Sequence, residues 1–259
     1  MLRKWILPGM IMATLAAAPA FAEEDGGWLA DSNFSGNVAI TSDYVWRGIS
    51  QTDRNWAIQG GLDYAAPVGL YVGTWASNVS FGGGIEMDFY GGFANELEMG
   101  LSYDVGANYY AYPKAHDGET ELNFYEVYLK LGYALPAMGS VEPSVGVGYS
   151  YSPDFFGEDG SSHYLNGSLS LTLPAGFSLS GEVGYLDVEG DETTGDGGGL
   201  DGDDGFDYVH YRVGAGYSFK GLDFDLSYHA MNEKDFAEDY SGFSKAGDGK
   251  VVFTVSRSL

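Results

Sequence analysis

Cysteine is absent from the 259 residues. An exported chain without it has no disulfide scaffold, so hydrogen-bonded sheet or a buried core must hold the fold. Long hydrophobic runs are also missing after residue 22, where polar residues or glycine interrupt every apolar stretch. A helix crossing about 30 Å of hydrocarbon needs roughly 20 apolar residues in a row, which argues against a helical membrane protein. Basic residues are scarce, with 12 Lys and Arg against 37 Asp and Glu and a formal charge of −25. Phosphates would repel such a chain, so nucleic acid is not an expected partner. The charge balance does not by itself set the fold.

The first residues read as an address. Arg3 and Lys4 open a mostly apolar run from Trp5 to Ala18, and Ala20-Phe21-Ala22 forms a small-x-small cleavage site. This is the pattern of a Sec-type signal peptide over 1–22, with a single mature domain over 23–259. The run is too short, and too broken by Pro8, Gly9 and Pro19, for a membrane anchor. The two basic residues leave with it, so −25 becomes −27 in the mature chain.

Glycine and aromatics are abundant, with 40 Gly, 20 Tyr and 15 Phe. They sit in repeated period-2 patterns. Val141, Pro143, Val145, Val147 and Tyr149 alternate with Glu142, Ser144, Gly146, Gly148 and Ser150. Leu165, Gly167, Leu169, Leu171 and Leu173 alternate with Asn166, Ser168, Ser170 and Thr172. Leu97, Met99, Leu101, Tyr103, Val105 and Ala107 do so with Glu98, Gly100, Ser102, Asp104 and Gly106. Helices cannot use that spacing; strands with one apolar and one polar face can. The spacing predicts about 12 strands, near 34–46, 55–66, 69–79, 84–94, 96–110, 121–133, 141–151, 162–173, 176–188, 206–219, 221–231 and 249–259. The third is ambiguous, because Leu70, Val72 and Ala76 compete with Tyr71, Trp75 and Val79 for its apolar face.

Links after even-numbered strands are short (Pro67-Val68, Asn95, 134–140, Pro174-Ala175, Lys220), and most of the others are long and polar. The link at 80–83 departs from this contrast. Sorted loops around an even strand count indicate an all-β, antiparallel, up-and-down transmembrane β-barrel with short periplasmic turns and longer outer loops. A soluble sandwich has no reason to sort its loops. In lipid every backbone group needs a partner, so the sheet must close. Leu97, Met99, Leu101, Leu169, Leu171, Val213 and Leu226 are expected to face lipid. Tyr109, Tyr125, Tyr133, Tyr149, Tyr185, Tyr217, Phe219 and Tyr228 are expected in interfacial girdles. Val251, Phe253, Val255 and Leu259 alternate to the carboxyl end. Such a last strand would be read by the barrel-assembly machinery, with Arg257 reaching water at the periplasmic interface.

A resemblance sharpens this reading. Gly36-Asn37-Val38 is followed by Thr41-Ser42-Asp43-Tyr44-Val45-Trp46-Arg47-Gly48-Ile49-Ser50-Gln51. Then come Gln59-Gly60-Gly61-Leu62-Asp63-Tyr64 and Val72-Gly73-Thr74-Trp75-Ala76-Ser77-Asn78-Val79. Glu86-Met87-Asp88-Phe89-Tyr90-Gly91-Gly92, Tyr103-Asp104-Val105-Gly106 and Asn123-Phe124-Tyr125-Glu126 complete the set. Over 34–133 the chain resembles the proteobacterial TorF family of porins, whose solutes are largely unassigned. The resemblance implies an outer-membrane channel and supplies no catalytic residues.

The faces opposite the apolar rows carry the candidate pore lining: Asp63, Glu86, Asp88, Glu98, Asp104, Glu126, Glu182, Asp223 and Asp225, with Lys130 and Arg212 the basic members. Gly100, Gly106, Gly132, Gly146, Gly148, Gly184, Gly214 and Gly216 are the small inward positions, expected to leave water space inside twelve strands. An acidic wall in a low-dielectric shell favours cations. Full pairing of these acids with Lys130, Arg212 and the histidines is unexpected; hydration is the favoured state. Arg47, at the outer end of the first strand, is either a constriction or solute-binding residue or a structural partner of Asp43, Asp53 or Trp46.

The segment 187–207 holds nine carboxylates and no Lys or Arg. Asp201, Asp203, Asp204 and Asp207 form a weak divalent candidate without EF-hand spacing, and a solvated outer loop is the plainer reading. An outer-membrane hydrolase is the rival class: His210 and His229 would point inward near Asp223 and Asp225, and His163 lies close to Ser161 and Ser162. No nucleophile motif accompanies them. A non-conducting surface barrel is a third reading. No cofactor is expected. The expected partners are outer-membrane lipid, lipopolysaccharide and small hydrophilic solutes. Edman sequencing of the protein from a Gram-negative outer-membrane fraction is expected to begin at Glu23; a sequence beginning at Met1 would remove the signal peptide.

Overall fold

Alternation runs through nearly the whole chain, and the chain closes on itself accordingly. The computed structural model describes residues 28–81, 83–97, 100–113, 122–190 and 205–259. Its elements are β1 (Phe34–Thr41), β2 (Val45–Trp46), β3 (Ile49–Ser50), β4 (Ala57–Ala65), β5 (Leu70–Asn78), β6 (Ile85–Glu96) and β7 (Leu101–Ala111). They continue with β8 (Phe124–Ala134), β9 (Glu142–Ser152), β10 (Ser162–Thr172), β11 (Phe177–Val188), β12 (Phe206–Phe219), β13 (Leu222–Met231), helix α1 (Lys234–Ser241) and β14 (Lys250–Ser258). Strands β1 and β4–β14 form one closed twelve-stranded barrel in which sequence neighbours pair antiparallel, while β2 and β3 make a separate two-stranded hairpin. Closure is made by β1 on β14, from Asn37 opposite Ser258 to Thr41 opposite Thr254.

The side facing away from the barrel axis is apolar and uncovered. Val147, Leu165, Leu169, Val183, Val213 and Leu226 are all exposed. At the rim where both chain ends lie, this band is bordered by Phe34, Tyr133, Phe177, Tyr217 and Phe219; toward the long-loop rim it is bordered by Tyr109, Tyr125, Tyr149, Tyr185 and Tyr228. All eight residues expected in girdles are therefore exposed on the outward rows. Such a surface would be poorly solvated in water but matches hydrocarbon flanked by two aromatic belts.

The structure decides the ambiguous third strand. Leu70 and Val72 are exposed outward, whereas Tyr71 and Trp75 are buried inside. Two boundaries differ from expectation. The first barrel strand ends at Thr41 rather than residue 46, and β6 runs on to Glu96, so Leu97 lies in a turn instead of opening the next strand. Leu97 closes that turn by accepting from the Gly100 amide, at 2.9 Å. Met99 lies outside the described residues. Val251 and Phe253 of β14 face outward, and Arg257 is exposed at the chain-end rim.

Val213 sits mid-strand on β12, opposite Gly181 and Tyr228 and 59% exposed. A Val213→Arg change is expected to cost about 2–4 kcal/mol of folding free energy in lipid vesicles. Denaturant titration of the variant refolded into vesicles reads the cost; no loss would place this face in water.

Candidate functional site

The connection 42–56 does not arch over solvent but folds into the barrel mouth. Asp43 anchors it: its Oδ1 accepts from Ser50 Oγ at 2.6 Å and Thr52 Oγ1 at 2.9 Å. Burial pushes the Asp43 carboxyl above its ordinary range, against the pull of those two donors. The β2–β3 turn at Arg47-Gly48 has positive φ at both positions, 47° and 89°. That is the geometry a two-residue hairpin of native twist requires. Gly48 packs so tightly that a Cβ there would lie 2.8 Å from His210 Cβ.

Arg47 is carried across to the opposite wall. Its Nη2 donates to Glu126 Oε2 at 2.7 Å, and its guanidinium lies 4.3 Å from the Trp46 ring centroid and 3.9 Å from that of Tyr164. Burial pushes the Arg47 pKa down; adjacent Glu126, together with Tyr110 and Tyr164, pushes it up, and the net direction is upward, so the guanidinium stays charged. Neither Asp43 nor Asp53 is its partner, although the Trp46 stacking expected from sequence is present. Sequence placed Arg47 at the end of a barrel strand; the hairpin turn instead moves it into the lumen.

The inward carboxylates are met mainly by tyrosine. Glu86 accepts from Tyr44 at 2.7 Å and Tyr112 at 2.8 Å. Tyr110 donates to Glu126 at 3.1 Å, Tyr90 to Asp63 at 2.6 Å, and Tyr71 to Asp104 at 2.6 Å. Asn108 donates to Asp88 at 3.3 Å. Arg212 bonds Asp225 at 2.8 Å and Ser180 at 2.7 Å, and Tyr164 reaches Glu182 at 3.5 Å. Lys130 sits over the Tyr128 ring, 4.2 Å from its centroid. Asp223 is exposed at the chain-end rim beside Ser218. Glu98, Asp201, Asp203 and Asp204 lie outside the described residues, and Asp207 is exposed on the outward row of β12, opposite Asp187.

Tyrosine also occupies space that sequence assigned to water. A Cβ on Gly106 would lie 2.7 Å from the Tyr128 hydroxyl, and one on Gly184 would lie 2.6 Å from that of Tyr164; Gly92 is filled in the same way, 2.7 Å from the Tyr71 hydroxyl. These glycines are seats for rings from neighbouring strands. Gly100 lies in a turn with φ 79°. The opposite wall differs. Ser144, Gly146, Ser168, Ser170, Ser178, Ser180, Gly214 and Gly216, in the chain-end half of β9–β12, are half-buried, so the described interior is accessible there, whereas Gly148, Asn166, Gly184 and Arg212 nearer the long-loop rim are buried. The acids and tyrosines share one parity on each strand, as in Glu86-Asp88-Tyr90 and Glu126-Tyr128-Lys130, so counting in twos would have exposed the tyrosines.

The long-loop mouth is apolar. Ile49, Tyr110, Phe124, Phe155, Leu186 and Tyr208 form a buried cluster, with Trp46, Phe81, Phe156 and Phe243 packed against it. His210 Nε2 meets the Tyr164 hydroxyl at 2.9 Å, and His229 meets Ser227 at 3.1 Å. These contacts replace the Asp223 and Asp225 neighbours expected for them. His163 is only half-buried and bonds Tyr149 at 2.7 Å rather than Ser161 or Ser162.

A family described as "Bacterial protein of unknown function (Gcw_chp)" matches residues 27–259. No curated protein matches in sequence. Solved outer-membrane channel structures share the fold, the KdgM and NanC porins among them. The KdgM porin has a TM-score of 0.51 at 8% identity, covering 87% of this chain and 98% of its own. The NanC porin has 0.50 at 9%, covering 87% and 98%. An outer membrane channel from Pseudomonas putida F1 has 0.50 at 13%, covering 87% and 95%. At these identities the likeness concerns the barrel alone.

Arg47→Ala strands the Glu126 carboxylate inside the mouth and is expected to cost about 3–5 kcal/mol. Adding Glu126→Gln should recover most of it. Denaturant midpoints of the two variants check this, and equal losses would show that the two side chains are uncoupled.

Proposed function

We propose a channel function for this chain, which belongs to the bacterial family of unknown function that matches residues 27–259. It passes small hydrophilic solutes through the outer membrane of a Gram-negative bacterium and favours cations. The observation that carries this reading is the two-sided interior. One wall, in the chain-end half of β9–β12, is lined by half-buried serine and glycine. The other carries Asp63, Glu86, Asp88, Asp104 and Glu126 with Lys130 as its basic member. A water path beside such a wall holds a negative potential, which raises the local concentration of cations and lowers that of anions. The resemblance of residues 34–133 to TorF-family porins, and the likeness of the fold to the KdgM and NanC porins, support the same reading.

Passage is narrow on this account. The β2–β3 hairpin and its Arg47–Glu126 bridge cross the long-loop mouth, so solutes pass beside the hairpin or move it. The apolar outward band, the two aromatic belts and the outward row of β14 fit lipid, lipopolysaccharide and the barrel-assembly machinery as partners.

Purified protein in planar bilayers under a potassium chloride gradient is expected to give small single-channel steps with a cation-selective reversal potential. A chain in which two glycines replace residues 45–50 should conduct more. Anion preference, or silence from both proteins, would overturn the proposal.

A further inference from the structure

The hairpin does not fill the mouth. A partly open cleft of about 140 Å³ remains between the β2–β3 hairpin and the long-loop segments. Its walls are aromatic, with Trp46, Phe81, Tyr112, Phe155 and Phe156 among them. Largely apolar pockets with a few polar groups are the usual form of small-molecule sites. The charge behind the walls narrows the ligand class. Tyr112 donates to Glu86 at 2.8 Å, and Ser50, also lining the cleft, donates to Asp43 at 2.6 Å. Two carboxylates thus stand one hydrogen bond behind the lining. In the same half of the barrel Asp88, Glu126 and Asp159 are buried too, against Arg47 and Lys250. Arg47 is engaged by Glu126, and Lys250 donates to the carbonyls of Gly48 and Ala246.

We infer that this cleft binds an organic monocation of the alkylammonium class. The ring faces supply cation–π attraction, and the carboxylates behind them supply the charge complement. Inorganic ions are too strongly hydrated to favour an apolar wall, and the acidic surroundings repel anions. The inference rests on the same acidic interior as the channel reading, but it concerns binding rather than conduction.

Calorimetric titration of the full chain in non-ionic detergent tests it, with choline and its neutral isostere 3,3-dimethylbutan-1-ol as probes. Choline is expected to bind saturably with one site, on the order of tenfold tighter than the alcohol. Ser241→Trp, which places a ring at the cleft rim, should abolish binding, and Phe156→Ala should weaken it. Heat-modifiable gel migration verifies that each variant is a folded barrel. Equal or tighter binding of the alcohol, no heat with choline, or full affinity in both variants would overturn the inference. A barrel that binds choline yet carries no current would overturn only the channel reading; one that conducts but ignores choline would overturn only this one.

Discussion

Backbone hydrogen bonding in a medium without water is the constraint from which the rest follows. Each amide left unpaired in hydrocarbon costs several kcal/mol, so a strand there needs a neighbour on both sides. The β1–β14 pairing meets that requirement, because it turns two edges into one more ladder. The sequence must then present lipid on one parity and the interior on the other, without slipping by one residue. Valine and leucine outside, with tyrosine belts at two heights, fix the barrel's position along the membrane normal as well as its closure.

Closure creates a second problem, which is how to occupy the inside. Twelve strands enclose more space than one layer of side chains fills. The wall built from β4–β8 answers with tyrosine seated over glycine on a neighbouring strand, Tyr71 on Gly92 and Tyr128 on Gly106. Tyr71 donates to Asp104 and meets the Tyr128 hydroxyl, Tyr90 donates to Asp63, and Tyr44 and Tyr112 donate to Glu86 nearer the mouth. A phenol that donates to a carboxylate favours its charged form without a neutralising cation, which offsets part of the cost of burying so many acids in an interior poor in lysine and arginine. The β9–β12 wall has serine and glycine with few covering rings in its chain-end half, and that half remains half-buried.

Much of the barrel was legible because period-2 alternation is a local signal that each strand repeats. Strand number, pairing order, lipid face and girdle residues all follow from it. The interior was harder. Counting acids against Lys130 and Arg212 identified an excess of charge but not its partners, because phenols were read only as outward belts. Sequence alone presents glycines such as Gly106 as empty space because the rings that fill them come from other strands, and Gly106 and Tyr128 are adjacent only once the register is known. The mouth was least legible. Alternation continues through Tyr44 and Trp46 as though the first strand did, and only the left-handed pair Arg47-Gly48 reverses the chain. The long connection 189–205 shows the same limit, since its acid density alone does not separate a solvated loop from a cation site.

The inward hairpin links the two halves of this economy. Gly48 can approach His210 only because it has no side chain, and that approach carries Arg47 across to Glu126. Arg47 is thereby the basic group placed among Glu86, Asp88 and Glu126, where it offsets part of their repulsion and ties β2–β3 to β8. The same contact closes the lower side of an aromatic cleft, since Trp46 lines that cleft and packs against the guanidinium. Removing the arginine would therefore act at three places together: the balance of charge at the mouth, the seating of the hairpin and the shape of the cleft. On the channel reading proposed for this chain, a residue coupled to all three would set passage through the barrel by holding a loop in place, without itself having to touch a solute.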